Sequence, residues 1–273
     1  MKTIRLAYAP LKNAGDVFNV GLIEKLSGKC VEQSKVYNAD MMAIGGALFG
    51  TQYSDDSKRK LMQKVASFFF GNKPLYVWGS GFWIDDNKNS LYRKNLKVCA
   101  LRGEKTRQKL SALTGEIYDV PLADAGLLID LFLKERLAPK YKMGVIPHMS
   151  QMYDPLYKKL SEQDGGHMID ITQSPEAVIE EIALCETIAS SSLHGLIFAD
   201  SLHIPSLHLI GENIILGGLF KFQDYYSCYQ LDNQPWDISK SLPTAEDIIN
   251  NYKVDSDLVE LKKQQLIESF PKF

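Results

Sequence analysis

The residues best suited to chemistry lie in the segment 188–205, where three serines precede a histidine. Ser190, Ser191 and Ser192 are favourable N-cap residues, and apolar residues at helical spacing follow them. His194 then falls in the first helical turn, beside Gly195, which lets another group approach the backbone closely. A helix N-terminus suits an anion, and an imidazole there can transfer a proton. The segment therefore predicts an anion site with an acid–base histidine, or else a capped helix with an incidental histidine.

Further polar residues follow two predicted strands in the first half of the chain. Asn13, Gly15 and Asp16 come after the first strand, and Arg102 comes after the fourth. Asp16 is either a carboxylate that faces a cleft and binds an acceptor hydroxyl, or an ordinary N-cap. The Arg102 guanidinium can bind carboxylate or phosphate in a bidentate fork, or it can pair with a surface glutamate.

Paired glycines follow the second and third clear strands, as Gly45-Gly46 and as Gly79-Ser80-Gly81. Such pairs mark a close approach of the backbone to a ligand or to a neighbouring helix. Neither pair fits the G-x-G-x-x-G dinucleotide pattern, and the sequence contains no G-x-x-x-x-G-K-[ST] loop. These absences argue against a P-loop nucleotide enzyme.

Two more candidates come from the second half of the chain. His148 directly follows a predicted strand, and we expect it to contact a ligand. Lys221, with two tyrosines behind it, can close over an anionic ligand; a partly packed, solvated helix is the alternative. The other histidines are dispersed without the spacing of metal ligands, so no metal site is predicted.

The composition argues against a nucleic-acid-binding protein and against a membrane-spanning one. The chain has 273 residues and a net charge of −2, which gives no indication of a nucleic-acid partner. No apolar run approaches the roughly 18 residues that a membrane span requires. The four cysteines are scattered and form no C-x-x-C pair, so we expect free thiols in a reducing cytoplasm.

Short apolar runs alternate with amphipathic ones, which predicts parallel sheets flanked by helices. The predicted strands are 3–9, 40–44, 75–78, 97–101, 116–120, 143–147, 167–171, 187–190 and 206–210. The predicted helices are 17–26, 57–70, 104–114, 125–133, 154–163, 176–185 and 193–203, with more helix in 244–270. A charged stretch at 135–142 predicts a boundary between two Rossmann-like domains, 1–138 and 139–273, that face a cleft. The C-terminal helix can pack back across both.

The predicted helix 57–70 is basic at its start and ends in three phenylalanines. A basic amphipathic helix can rest on anionic lipid. The more common arrangement buries the aromatic residues in the core and leaves the charges in solvent.

Taken together, these motifs resemble the polysaccharide pyruvyltransferase family. The resemblance runs in order from residue 13 to residue 226 and includes Asn13-x-Gly15-Asp16, Gly45-Gly46-Ala47-Leu48-Phe49 and Leu193-His194-Gly195. The motifs at 78–81, 102–106, 124–128, 146–148 and 221–226 are closest to the branch with the xanthan and succinoglycan ketal pyruvyltransferases. Many members carry arginine before Leu-His, where this chain has Ser192, so Arg102, Lys221 or helix N–H groups must hold more of the donor's charge.

The resemblance implies a GT-B-like fold and the transfer of an enolpyruvyl-derived group from phosphoenolpyruvate to a sugar. A cyclic pyruvate ketal forms and phosphate leaves, with no metal or other cofactor. The acceptor would be a sugar of a cell-surface polysaccharide, often lipid-linked. His194 is then the general acid, Arg102 a donor-binding group and Asp16 an acceptor-positioning group or base. The other substrate-binding residues are expected to be Asn13, Gly15, Gly45, Gly46, Ser80, Gly81, His148, Ser191, Ser192, Leu193, Gly195 and Lys221.

Two alternatives stay open on this sequence. One is a GT-B glycosyltransferase that uses a nucleotide sugar, and the other is a catalytically silent glycan-binding protein, which Ser192 motivates. In each case we expect a cytoplasmic protein, and the lipid-linked acceptor implies contact with the inner face of the membrane. The acceptor sugar and the oligomeric state are not predicted.

Overall fold

Two five-stranded sheets, one after the other in the chain, form the framework of the protein. The computed structural model describes residues 3–9, 11–86, 88, 90–135, 137–163, 165–213, 215 and 217–273. All strand pairs within the two sheets are parallel. The protein thus has the α/β architecture of two sheets flanked by helices, as the alternation of the sequence predicts, and it is consistent with a GT-B-like fold.

The first sheet takes its strands from the N-terminal half. They are β1 (Ile4–Leu6), β2 (Val31–Gln33), β3 (Met41–Met42), β4 (Leu75–Ser80) and β5 (Leu96–Leu101). The α-helices among and after them are α1 (Ala14–Ser27), α2 (Ser57–Phe70) and α3 (Glu104–Thr114), and short 3-10 helices span Leu48–Thr51 and Ala125–Phe132.

The second sheet takes its strands from the C-terminal half. They are β6 (Met143–Ile146), β7 (Gly166–Met168), β8 (Ile188–Ser190), β9 (Ser206–Ile210) and β10 (Trp236–Asp237). The helices are the 3-10 helix Met149–Gln151, α4 (Pro155–Ser161), α5 (Pro175–Ala183), α6 (Leu193–Ser201), α7 (Phe220–Ser227), α8 (Ala245–Asn251) and α9 (Ser256–Glu268).

Both sheets have the same topology. The strand orders are β2-β1-β3-β4-β5 and β10-β9-β8-β6-β7, so the first strand of each half lies between its second and third strands. The chain order therefore reverses beside β1 in one sheet and beside β6 in the other. In open parallel sheets, ligands bind outside the carboxyl ends of the strands at such a switch point. A ligand site is therefore expected at the loops that follow β1, β3, β6 and β8.

One hydrophobic core runs through both halves. Phe18 of α1 and Trp78 of β4 belong to the same buried cluster as Ile197 and Phe198 of α6. The Phe18 and Phe198 rings meet edge to face with their centroids 6.0 Å apart, a favourable geometry for aromatic pairs. Helix α6 is buried along its whole length. Most of its residues are apolar, and its polar Asp200 and Ser201 make hydrogen bonds to Tyr225 and to the Leu127 carbonyl.

The C-terminal helix α9 returns to the N-terminal half. The Trp78 indole donates a hydrogen bond to the carbonyl oxygen of Leu266, at 2.9 Å. The Lys263 ammonium lies 2.9 Å from a carboxylate oxygen of Asp130, in the 3-10 helix Ala125–Phe132. These two contacts hold the end of the chain against elements that precede residue 138, where the boundary between the domains is predicted.

Several predicted elements differ from the observed ones. Residues 116–120 form no strand, and only the bridge from Leu122 to Leu101 extends the sheet there. The predicted helix 125–133 is a 3-10 helix with non-helical dihedral angles at Leu128. The sequence pattern missed β2 and β10, which have three and two residues and are too short for a periodicity to show. No helix among the residues described is long and apolar enough to span a membrane.

Candidate functional site

The turn between β1 and α1 contacts the imidazole of His194 and fixes its position. Asn13 is the N-cap of α1, and its Oδ1 accepts a hydrogen bond from the Gly15 N–H at 3.0 Å. The same oxygen lies 2.9 Å from Nδ1 of His194. A side chain on Gly15 would occupy the space of the imidazole ring. The N-x-G pattern of the sequence therefore positions the histidine of the other half.

This contact determines which nitrogen of the His194 ring carries the proton. Because Asn13 Oδ1 already acts as an acceptor, Nδ1 of His194 must donate, and Nε2 carries the lone pair of the neutral ring. Nε2 is buried and has no partner within the described parts of the chain. Burial lowers the pKa of His194, and together with the charges of Lys221, Arg102 and His148 it brings this pKa to about 3. Without a bound anion, His194 is a neutral base.

Asp16 lies across a small space from this imidazole. Gly45, in the loop after β3, has a φ of +82°, which glycine adopts at little cost. A Cβ built on Gly45 would lie 3.6 Å from Oδ1 of Asp16 and 3.7 Å from Nε2 of His194. Burial raises the pKa of Asp16 to about 7, although Lys221 opposes the shift. A carboxyl group and an imidazole thus border the same unfilled space.

Lys221 supplies positive charge to this space. The residue is half-buried in the first turn of α7, and its ammonium group forms no ion pair or hydrogen bond with the residues described. Burial and the nearby Arg102 lower the pKa of Lys221 to about 8, and Asp16 opposes this shift. His148 is also near, and burial and the Lys221 charge lower its pKa to about 4. Lys221 is therefore a cation that has no ion-pair partner among the described residues.

The start of α6 adds further donors. The side chain of Ser192, its N-cap, makes no capping hydrogen bond. The backbone N–H groups of residues 193–195 have no acceptor among the described residues. Free N–H groups at a helix N-terminus favour an anion, and here they flank His194.

The serines before α6 hold the turn instead of capping the helix. Ser190 Oγ accepts a hydrogen bond from the Ser192 N–H at 3.0 Å. Ser191 Oγ donates to Gln151 at 2.7 Å and accepts from the His148 N–H at 2.9 Å. Gly195 is needed because a Cβ there would lie 2.5 Å from Ser190 Oγ. These residues join the loops after β6 and β8.

The glycine pairs of the N-terminal half serve mainly close packing. The hydroxyl of Ser80 and the N–H of Gly81 both donate to the Gly45 carbonyl, each at 2.9 Å. A Cβ on Gly46 would lie 2.6 Å from Cβ of Trp83. Of these predicted site residues, Gly45 borders the space between Asp16 and His194, whereas Gly46, Ser80 and Gly81 support it. Leu193 lies in the hydrophobic core.

Arg102 lies near the cluster but already has an anionic partner. Its Nε is 2.8 Å from Oδ2 of Asp224 in α7, and both side chains are almost fully buried. Its Nη2 donates to the carbonyl oxygen of Phe82. Asp224 also accepts hydrogen bonds from the N–H and the hydroxyl of Thr106, both at 2.7 Å. The predicted contact of Arg102 with a donor stays a prediction, beside a structural contact that the sequence did not reveal.

Two further carboxylates escaped the sequence argument. Asp224 follows Lys221 in the same motif, but nothing in the sequence pairs it with Arg102. Asp124 is the N-cap of the 3-10 helix Ala125–Phe132 and accepts from the Gly126 N–H at 2.8 Å. Its Oδ2, however, is buried without a partner in the described residues, and burial raises its pKa to about 6. The only sequence signal for either was its place in a motif.

A groove opens beside the cluster, between the two halves. Its volume is about 480 Å³, and it is lined by Tyr8, Leu11, Lys12, Val17, Thr172, Gln173 and Ser174. The lining comes from the loop after β1, from Val17 in α1 and from the loop between β7 and α5. The Ala14 N–H donates to the Ile171 carbonyl at 2.8 Å, so these loops touch next to Asn13. Among the described residues, no group of three or more His, Cys, Asp or Glu side chains is placed to hold a metal ion.

Comparison with known proteins agrees with this arrangement. Residues 3–213 match the family model described as polysaccharide pyruvyl transferase. The chain is 28% identical over 272 residues to uncharacterized protein L143 of Acanthamoeba polyphaga mimivirus, covering 93% of this chain and 86% of that protein. It is 27% identical over 130 residues to the succinoglycan biosynthesis protein ExoV of Rhizobium meliloti (strain 1021), covering 47% of this chain and 40% of ExoV. The chain belongs to the polysaccharide pyruvyl transferase family.

Proposed function

We propose that this pyruvyltransferase uses phosphoenolpyruvate as its donor and forms a cyclic pyruvate ketal on a sugar of a cell-surface polysaccharide or of its lipid-linked precursor. The family match supports pyruvyl transfer to a polysaccharide. The observation that carries the choice of donor is the unpaired Lys221 ammonium beside His194. Phosphoenolpyruvate is small and carries both a phosphate and a carboxylate, so it suits a compact cationic space.

The donor's anionic groups would bind Lys221 and the free N–H groups at the start of α6. Neither contact requires a metal or a further cofactor. This arrangement gives a physical reason why Ser192 can stand in place of the arginine of other members: Lys221 provides a fixed positive charge and the helix provides oriented dipoles. Donor binding would also raise the pKa of His194, because nearby anions favour the imidazolium.

The reaction requires three proton movements. A proton adds to the methylene carbon of phosphoenolpyruvate, and the adjacent carbon becomes oxocarbenium-like. One acceptor hydroxyl attacks that carbon and loses its proton; phosphate then leaves, and the second hydroxyl closes the ketal ring and loses its proton. In sum, one hydroxyl proton replaces the one added to carbon, and the other leaves with phosphate. We assign the first step to His194 Nε2, charged by donor binding, and a hydroxyl proton to Asp16.

The acceptor would enter from the groove beside Asn13. That groove borders both halves, and its lining of Tyr8, Lys12, Thr172, Gln173 and Ser174 offers hydroxyl, amide and ammonium groups to a sugar. The N-terminal half would then form the acceptor side and the C-terminal half the donor side. A lipid-linked acceptor would bring the enzyme to the cytoplasmic face of a membrane as a peripheral protein.

The direct test is incubation with phosphoenolpyruvate and a panel of pyranoside acceptors. Released phosphate is measured, and mass spectrometry detects the added pyruvate ketal. We expect His194→Ala to lower kcat by at least about 10²-fold, the usual contribution of a positioned acid–base group. His203→Ala is the matched control, because His203 follows the other end of α6 and pairs with Glu260. Normal turnover by His194→Ala would remove the assignment.

A nucleotide-sugar glycosyltransferase is the alternative on this architecture. It predicts that nucleoside diphosphates, and not phosphoenolpyruvate, raise the thermal midpoint of the protein. Stabilisation by phosphoenolpyruvate that is lost in Lys221→Ala would support the proposed donor and its location. Stabilisation by nucleotide alone would overturn the proposal.

A further inference from the structure

Helix α2 places no buried side chain against the protein, although it has 14 residues. Its large apolar residues lie in solvent. Phe68 is 85% exposed and Phe69 is 71% exposed, and the set also includes Leu61, Met62 and Val65. Scattered exposed apolar residues are ordinary, but a contiguous patch on one helix marks an interaction surface.

The apolar residues form one face of the helix. At about 100° per residue, Leu61, Val65 and Phe68 fall within about 60° of each other, with Met62 and Phe69 beside them. The opposite face holds the helix to the protein. Gln63 accepts from the Ser54 N–H at 2.7 Å and donates to the Gln52 carbonyl at 3.2 Å, and the Phe70 ring lies 5.9 Å from that of Tyr37. The apolar face therefore points away from the body of the molecule.

The charges on α2 are all positive. Lys58, Arg59, Lys60 and Lys64 lie within it, and the segment 57–70 contains no acidic residue, in a chain whose net charge is −2. On the same helical projection, Arg59 and Lys64 flank the apolar face on its two sides. A helix with an aromatic and aliphatic face between basic residues fits the boundary of a bilayer: its rings enter the acyl region and its cations meet lipid phosphates.

We propose that α2 docks the protein on a membrane surface that contains anionic lipid, with the face Leu61, Met62, Val65, Phe68 and Phe69 inserted. A second copy of the chain fits this face less well. In a two-fold symmetric dimer the same patch would meet itself, and the cations that flank it in one copy, Arg59 and Lys64, would come close to those of the other. Like charges across an interface oppose association.

Vesicle binding tests the proposal without relying on catalysis. The intact protein is mixed with vesicles of phosphatidylcholine and phosphatidylglycerol, or of phosphatidylcholine alone, and the bound fraction is measured by co-sedimentation. We expect at least about tenfold stronger binding to the anionic vesicles, with weaker binding as salt rises. His194→Ala should bind as the wild type does, so loss of the proposed chemistry and loss of docking are separable.

Two double variants address the two parts of the surface. Phe68→Ser with Phe69→Ser should weaken vesicle binding by at least about tenfold, since both rings would otherwise leave water. Arg59→Ala with Lys64→Ala should weaken it by about tenfold or more and reduce its salt dependence. Because these side chains are exposed, the thermal midpoint and the turnover of a soluble acceptor should not change.

Matched controls lie on other surfaces. Ile117→Ser with Tyr153→Ser removes two apolar side chains that are 93% and 99% exposed, and Lys158→Ala with Lys159→Ala removes two exposed cations from α4. Neither pair should change vesicle binding. Vesicle binding that is absent in the wild type, or unaffected by the α2 variants, would overturn the proposal. So would a dimer, detected by sedimentation velocity, that the Phe68 and Phe69 changes abolish while vesicles bind nothing.

Discussion

Asp16 and His194 border one small space, and the charge of Lys221 lowers the pKa of both. Burial shifts the pKa values of these three groups in opposite directions. It raises the pKa of Asp16 to about 7 and lowers those of Lys221 and His194 to about 8 and about 3. At neutral pH the free enzyme thus has a charged lysine, a neutral imidazole and a carboxyl group near its midpoint. Groups whose surroundings separate their pKa values in this way are suited to divide acid and base roles.

The pH dependence of kcat/KM for phosphoenolpyruvate follows from these shifts, because this ratio reports the free enzyme. Asp16 must be ionised to accept a proton, whereas His194 must be protonated to give one, and their pKa values in the free enzyme are about 7 and about 3. Between these values the gain in ionised Asp16 offsets the loss of protonated His194, so kcat/KM should be level up to about pH 7 and fall above it. The fall should steepen past about pH 8, where Lys221 loses the charge that binds the donor. Initial rates in buffers of constant ionic strength measure this profile.

Two substitutions assign the parts of this profile. Lys221→Arg should abolish the steepening past about pH 8, since a guanidinium stays protonated throughout this range. Asp16→Asn should lower the rate and remove the level part, so that kcat/KM falls with rising pH below 7 as well. A steepening that persists in Lys221→Arg would show that another group controls donor binding.

At the scale of elements, the site exists because two helix starts from different halves meet. The first turn of α1 presents Asn13 and Gly15, and the first turn of α6 presents His194. The Asn13 side chain receives one hydrogen bond from its own helix and one from the imidazole. The absence of a Gly15 side chain leaves room for the ring. The N-x-G part of the N-x-G-D motif therefore serves two purposes: it starts α1, and it makes room for the His194 side chain of α6.

Gly15→Ala tests this requirement. The new methyl group would displace the imidazole, and a shift of about 1 Å in a catalytic group can cost roughly 10²-fold in rate. We expect kcat to fall by about that factor while α1 itself, a helix with a good N-cap, still forms. Gly21→Ala in the same helix is the control, because its Cβ would meet only the edge of Phe132 at 3.3 Å. Equal activity of the two variants would contradict the close fit at Gly15.

The alternation of the sequence predicted the elements that position the site, because buried parallel strands read as apolar runs. The rule that ligands lie beyond strand ends also led to Asn13, Asp16, Gly45, His148 and His194. The sequence could not show which polar groups lie in contact, such as Asn13 with His194 or Arg102 with Asp224. Burial of aromatic residues in α2 was also wrong for Phe68 and Phe69, since a helical period identifies an apolar face but not what covers it.

At the scale of the whole molecule, Asp224 joins the two halves. It pairs with Arg102 at the end of β5 and receives two hydrogen bonds from Thr106 in the first turn of α3. Asp224 therefore satisfies an N–H group in the first turn of α3, whose own N-cap residue, Gly103, has no side chain to do so. Within the same helix α7, the Tyr225 hydroxyl donates to Asp200 of α6 at 2.7 Å. Helix α7 is thus fixed from both halves, and with it Lys221.

Removing one partner of this buried pair should therefore destabilise the fold. An unpaired buried charge typically costs about 3–5 kcal/mol, so Arg102→Ala and Asp224→Ala should each lower the free energy of unfolding in urea by about that amount. Because α7 carries Lys221, both variants should also weaken phosphoenolpyruvate binding to a similar extent, as measured by calorimetric titration. Lys158→Ala is the control, since Lys158 and its Glu162 partner are both mostly exposed. If Arg102→Ala alone weakened donor binding, Arg102 would contact the donor directly, and its pairing with Asp224 would not explain the loss.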